Sequence, residues 1–358
     1  MPSIACFISP HGFGHAARSC AILAELQHQV ADLIVHIFTR VPVWFFQDSL
    51  PGGFKVHEFQ SDIGLVQSSA ISEDLPDTLK ALNNFIPFDL SIAKHLRLLE
   101  CQLVMCDISP LGIAAAREAG LPSILIENFT WDWIYDTYTQ STPAFQPIID
   151  YLKPVFQSAT YHIQARPYCA DWRAPDLSVP PIARKSQRSR TETRQLLSLQ
   201  DGEKAVLVSL GGIQGKATFI HHLPDLPGLR FVIPGAAKHF RVQANQIHLP
   251  FHTPIFHPDL VAAADAIVGK AGYSTIAEAC QAGIPFGFVP RKTFREAPVL
   301  EEFILHSLNG FRIEEDDFQA GRWQSMLDHL LSIRPTPAQE QNGALPAAQF
   351  IAGMLEVK

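Results

Sequence analysis

Short apolar runs rich in β-branched residues recur along the chain, and helical stretches separate most of them. Two of these runs lead directly into glycine-containing turns that open helices. Together these features predict an α/β protein of doubly wound, mostly parallel sheets. Strands this apolar need cover on both faces. The 358 residues amount to roughly two domains at about 150 residues each. Apolar residues make up 47% and charged residues only 18%, with 24 Phe, so a large core is buried and wholesale disorder is excluded. Lys and Arg number 28 against 35 Asp and Glu, a net charge of −7 that argues against binding to nucleic-acid backbones. Six cysteines are too few and too scattered for a disulfide framework. The first residues lack a basic leader, and no apolar run reaches about 18 residues. A soluble, cytoplasmic protein is expected.

In order, SIACFIS (from Ser3) reads as the first strand, followed by a glycine turn and the helix HAARSCAILAELQ. LIVHIF (from Leu33), FKVHEF (from Phe54), LVMCD (from Leu103) and PSILIEN (from Pro122) are the next strands. The second half repeats the scheme with KAVLVSL (from Lys204), LRFVIP (from Leu229), DAIVG (from Asp265) and PFGFVP (from Pro285). AREAGLPSILI (from Ala116) and EACQAGIPFGF (from Glu278) echo one another. Each is a helix end, a glycine at the C′ position, an apolar residue, Pro and a strand. An Asp lies upstream in both, Asp107 and Asp265. Residues 170–195 are rich in Pro, Ser and Arg without apolar period and read as a linker. Their basic cluster (Arg184, Lys185, Arg188, Arg190, Arg194) is either a solvated face or a contact for an anion. AQFIAGMLEV near the end reads as a helix returning to the first half.

HGFGHAAR (His11–Arg18) joins the first strand to the first helix. Gly12 and Gly14 allow a tight turn and close approach of a ligand to free helix N–H groups. Gly12-x-Gly14-x-x-Ala17 matches a dinucleotide fingerprint, but the acid required at the end of the second strand is replaced by Phe38-Thr39-Arg40. NAD is disfavoured, leaving an NADP reading through Arg40. His15, at a helix N-terminus, is placed to act as a neutral base, or it hydrogen-bonds the turn. Asp107 ends its strand at the carboxyl edge, where it orients His15 or caps the next helix.

GKAGYSTIAEACQAGIP (Gly269–Pro285) is again strand, glycine turn and helix, suited to phosphate. Glu278 there serves a ribose, or closes a capping box with Thr275. SLGGIQGK (Ser209–Lys216) is another glycine turn, one residue short of a nucleoside-triphosphate loop. His248, His252 and His257 read as loop residues, and no Asp-x-Asp triplet offers a metal site. In FTWDWIYDTY, Trp131 and Trp133 wall the core and cleft or offer a stacking face for a sugar.

Three segments carry a resemblance: HGFGHAAR, CDISPLGIAAAREAGLPSILIENFTWDWIYDTY and GKAGYSTIAEACQAGIPFGFVPRKTFREAPVLEEF. They resemble the glycosyltransferase-like N-terminal domain of plant L-arabinokinases and, more distantly, the bacterial peptidoglycan GlcNAc-transferases. The resemblance covers most of the chain, least clearly over 140–200, and no sugar-kinase phosphate loop accompanies it. It implies a GT-B fold of two Rossmann-like domains facing a cleft. The first (1–169) would take the acceptor. The second (196–335) would take a UDP-linked nucleotide-sugar, with a linker at 170–195 and a returning helix at 336–358. It implies His15 as base with Asp107 orienting it. Gly211 and Gly212 match the diphosphate turn, while Lys270, Gly272, Tyr273, Ser274, Thr275 and Glu278 match the nucleotide segment. Arg295 and Glu296 match the donor-sugar contacts, although Glu296-Ala297 stands where the peptidoglycan enzyme has glutamines. The expected reaction is a metal-independent, inverting sugar transfer without a cofactor. A non-catalytic nucleotide-sugar binding module and an NADP-dependent oxidoreductase are the alternatives.

Overall fold

The computed structural model describes residues 1–68, 72–170, 172–209, 218–334 and 341–356. The first sheet holds β1 (Ser3–Ile8), β2 (Ile34–Thr39), β3 (Phe54–Glu58), β4 (Leu103–Asp107), β5 (Ser123–Glu127), β6 (Tyr161–Ala165) and β7 (Leu177–Val179). Its spatial order is β3-β2-β1-β4-β5-β6-β7, and every pairing is parallel. The second sheet holds β8 (Lys204–Ser209), β9 (Leu229–Ile233), β10 (Arg241–Gln243), β11 (Gln246–His248), β12 (Ala266–Lys270), β13 (Phe286–Val289) and β14 (Phe311–Arg312). Its order is β10-β11-β9-β8-β12-β13-β14, parallel except for the edge hairpin β10–β11. β1 and β4 are completely buried, as strands covered on both faces must be. In each sheet the winding reverses beside the first strand, at β1/β4 and at β8/β12. Open α/β sheets gather ligands at the carboxyl ends there.

The two halves echo one another in detail. Gly120 and Gly283 both end helices in the left-handed conformation, with φ of 72° and 68°. The next residue donates its N–H back in both, Leu121 to Ala116 at 2.9 Å and Ile284 to Ala279 at 2.9 Å. The echo fails at the aspartates: Asp107 closes β4, whereas Asp265 precedes β12 at the opposite edge. There Asp265 accepts from Arg190, Arg194, Lys204 and the Ala205 N–H.

The segment 170–195 is more than a linker. It contributes β7 to the first sheet, then runs into the helix Arg190–Leu196 beside the helix His257–Ala263 of the second half. Of its basic cluster, Arg184, Arg188, Arg190 and Arg194 pair with Glu278, Asp259 and Asp265 of the second half, while the exposed Lys185 pairs with Glu25 of the first. The helix Ala344–Glu356 packs on the first helix, Gly14–Gln29. Ile22, Ile351, Leu207 and Ile276 therefore share one apolar cluster that crosses from one half to the other. No helix among the described residues is long and apolar enough to cross a membrane.

An alanine at Gly120 or Gly283 would be forced into left-handed backbone, at a cost of about 1–2 kcal/mol. Gly120→Ala and Gly283→Ala should therefore lower the urea midpoint similarly. A neutral result at either position would show that its helix end relaxes.

Candidate active site

A cleft lies between the carboxyl edges of the two sheets. On one wall, the turn His11–Phe13 leaves β1, with Gly12 at φ +72°, a conformation that favours glycine. The first helix starts at Gly14, and His15 occupies its first turn. His15 Nδ1 lies 2.9 Å from Asp107 Oδ1, because β4 pairs with β1 and brings its last residue behind the turn. Arg18, one turn further along the same helix face, donates from Nε to Asp107 Oδ2 at 2.9 Å and from Nη2 to Oδ1 at 2.6 Å. Ser19 Oγ adds a third donor at 3.1 Å. Burial pushes the Asp107 carboxyl up, but Arg18 and His15 outweigh it and hold it below the usual carboxylate range. Asp107 does not cap the following helix; Ser109 does, accepting from Gly112 N–H at 3.3 Å.

The polar chain continues across the cleft. Arg18 Nη1 donates to Asn128 Oδ1 at 2.7 Å, and Asn128 Nδ2 donates to Glu296 Oε1 at 2.6 Å. Burial raises the Glu296 carboxyl despite the Asn128 amide. The Arg18 guanidinium also lies 5.0 Å from the centre of the Tyr273 ring.

The facing wall is built by the end of β12 and the helix Tyr273–Ala282. Gly269 must be glycine, since a Cβ there would stand 1.9 Å from the Ser209 carbonyl oxygen. Lys270 follows, then Gly272 as helix N-cap, with no side chain bonded to the helix start. Free N–H groups of Tyr273, Ser274 and Thr275 border the cleft. Ser274 Oγ lies 3.7 Å from the place of a Cβ on Gly14, so the two glycine turns face one another. Tyr273 Oη donates to the Arg166 carbonyl at 3.0 Å and accepts from Ile182 N–H at 3.3 Å, which fastens this helix to the crossover chain.

Glu278 forms no capping box with Thr275, since it lies beyond the helix's first turn. It is buried, with Oε1 accepting from Arg184 Nε at 3.0 Å and Oε2 2.7 Å from His257 Nδ1. Burial pushes the Glu278 carboxyl up, but Arg184 and His257 together hold it low. Arg184 and His257 line the cleft in its place, beside an aromatic mouth of Phe13, Trp44, Phe45, Phe251 and Phe256.

Several expected residues lie elsewhere. Arg295 turns out of the cleft, donating to the Trp133 carbonyl and to Asp136 at 2.9 Å, with its guanidinium 4.2 Å from the Trp133 ring centre. Trp133 is thereby covered, and Trp131 is buried behind the cleft, donating to Asp62 at 3.1 Å. Neither is a sugar platform. Arg40 is exposed and outside the cleft, which removes the support for NADP. Gly211 and Gly212 lie outside the described residues. His252 stacks on Trp44 at 4.2 Å, and no cluster of three metal-ligating side chains occurs among the described residues. Conversely, Arg18, Asn128 and Arg291 were not expected, and Arg184 was expected only as one member of a basic cluster. Arg18 carried a signal, its three-residue spacing from His15. The others are assembled by contacts distant in sequence.

Removing Arg18 would strand a buried carboxylate. Arg18→Met should cost about 3–5 kcal/mol by denaturant unfolding, and adding Asp107→Asn should recover much of it. Asp107 is depressed in the fold, so its ionised form stabilises above the unfolded carboxyl pKa of about 3.9 and is lost as pH falls through the lower folded value. Strictly additive losses in the double variant would refute this coupling.

No family model matches the chain. Among curated proteins, L-arabinokinase of Arabidopsis thaliana is 27% identical over 358 residues, an alignment spanning 96% of this chain. It takes in only 34% of the relative, so the chain spans about a third of that protein's length. Among solved structures, the glycosyltransferase SnogD from Streptomyces nogalater superposes with a TM-score of 0.59 at 17% identity, over 100% of this chain and 96% of its own. MurG of Acinetobacter baumannii gives 0.53 at 16% identity, over all of both chains. Os79 from O. sativa, solved in complex with UDP, gives 0.63 at 14% identity, over 98% of this chain and 100% of its own. With two parallel-stranded sheets and nearly its whole length superposed on these structures, the chain has the GT-B fold of the glycosyltransferases.

Proposed function

We propose that this chain transfers a sugar from a nucleotide-sugar, UDP-linked, to an acceptor hydroxyl, without a metal and with inversion. One observation carries the reading: a single cleft is bordered by His15, backed by Asp107 at 2.9 Å, and by the uncapped N-terminus of the helix Tyr273–Ala282. The donor diphosphate rests on that N-terminus, held by the N–H groups after Gly272 and by Lys270. Its nucleoside extends toward the aromatic mouth, where Arg184 and His257 take the hydroxyl-facing role first given to Glu278. His15 accepts the proton of the acceptor hydroxyl as the oxygen attacks the sugar, while the helix N–H groups hold the departing diphosphate. A non-catalytic nucleotide-sugar binding module is the second reading. It is favoured by Asp107 being already neutralised by Arg18. The likeness to a structure solved in complex with UDP supports the donor class, and the acceptor is left to experiment.

His15→Ala should lower turnover by roughly 10²–10⁴ and leave donor affinity nearly unchanged, measured by steady-state rates and calorimetry on one preparation. Unchanged turnover would favour the binding module. With Lys270 and helix dipoles supplying the positive field, activity should survive excess EDTA. Loss of rate that Mn²⁺ or Mg²⁺ restores would overturn the metal-independent route.

A further inference from the structure

Arg18 is the point at which the second half of the chain meets the His15–Asp107 pair. Asp107 Oδ1 faces both His15 Nδ1 at 2.9 Å and Arg18 Nη2 at 2.6 Å, so the angle of the carboxylate toward the imidazole follows the guanidinium. Asp107 is ionised and only accepts, which puts the His15 proton on Nδ1 and leaves the lone pair on Nε2. Two groups of the second half hold the guanidinium in turn. One is the Tyr273 ring, 5.0 Å away. The other is Glu296, which reaches it through Asn128: Arg18 Nη1 donates to Asn128 Oδ1 at 2.7 Å, and Asn128 Nδ2 donates to Glu296 Oε1 at 2.6 Å. With Oδ1 taken by Arg18, the Asn128 amide has only its NH₂ to offer across the cleft, so its partner there must be an acceptor. All five side chains are buried, with Asn128 1% exposed. In such surroundings an open polar link is costly, and each bond polarises the next.

We propose that Asn128 is a positioning residue of the transfer reaction, relaying the approach of the second half, through Glu296, to the Arg18–Asp107 pair and so to the alignment of His15. This rests on the reading of His15 as base, and it adds that the base is aligned only when the two halves face one another. The backbone of Asn128 is held independently, because its carbonyl accepts from Cys169 N–H at 2.7 Å. Changing the side chain therefore cuts the relay without unmaking the loop after β5.

Proton NMR of the ligand-free protein reads the relay directly. An Nδ1–H donated to a buried carboxylate gives a low-field resonance, assigned here by its loss in His15→Ala. Asn128→Asp keeps an acceptor for Arg18 but sets a second carboxylate against Glu296, and it should abolish the resonance through faster exchange with water. Adding Glu296→Gln gives the new carboxylate an amide donor, restores the chain with its charges exchanged, and should bring the resonance back. Tyr138→Phe removes a different bond between the halves, Tyr138 Oη to the Thr293 carbonyl at 3.0 Å, and should leave the resonance as in wild type. A folded Asn128→Asp with the wild-type resonance would overturn the relay. So would a double variant that stays silent, or a Tyr138→Phe that loses the signal as completely. Melting curves verify folding, and Glu296→Ala, which cuts the same bond from the other side, carries the test should Asn128→Asp fail to fold. In turnover of UDP-glucose, Asn128→Asp should lower kcat by roughly 10–100-fold with donor KM little changed, and the double variant should regain rate. If wild type turns over no nucleotide-sugar, the transfer reading fails while the resonances still decide the relay.

Discussion

Everything at the centre of this fold depends on one buried carboxylate. Asp107 sits at the end of a fully buried strand, where an unpaired charge would cost several kcal/mol. Arg18 meets it with two parallel hydrogen bonds, and the same guanidinium has a donor left for Asn128. Asn128 in turn reaches Glu296 in the other half. The requirement to neutralise Asp107 thus orients His15, fixes the loop after β5 and ties the second half to the first.

The crossover segment repeats this logic around the outside. Arg184, only 9% exposed, joins Glu278 to Ser49 of the first half, and removing either charged partner would strand the other. Arg188 and Arg190 have side chains 40% exposed, and their pairs contribute little beyond placing the chain. Buried apolar contact does the heavier part. The helices Ala344–Glu356 and Tyr273–Ala282 both pack on the first helix. Both walls of the cleft are consequently anchored to the helix that carries His15.

The sheets were legible because their information is local. Nine apolar runs marked nine strands, and the glycines of the two helix ends announced the repeated winding. Strands with weaker patterns were not read: β6 mixes polar and apolar residues, and β7, β10, β11 and β14 have three residues or fewer. In the site, glycine turns and a strand-end aspartate could be located from spacing. Which loop side chains face inward could not. Arg295 and Arg291 are four residues apart in one loop, and only contacts with Asp136 and Glu73, more than 150 residues away, decide that Arg291 borders the cleft. Glu278 was legible as an acid near a nucleotide turn, but its burial and its engagement by Arg184 and His257 were not.

The two histidines of the first turn differ in what surrounds them. His11 is pressed toward neutrality by burial and then by Arg291 and Lys270, so protonating it would add a third positive charge to that corner. His15 points Nδ1 at a carboxylate 2.9 Å away, although Arg18 shares that carboxylate. On the proposed function, the positive corner around His11 would draw a donor's negative charge to the wall opposite His15, so that base and leaving group would lie on separate sides of the cleft, as in-line displacement at a sugar carbon requires.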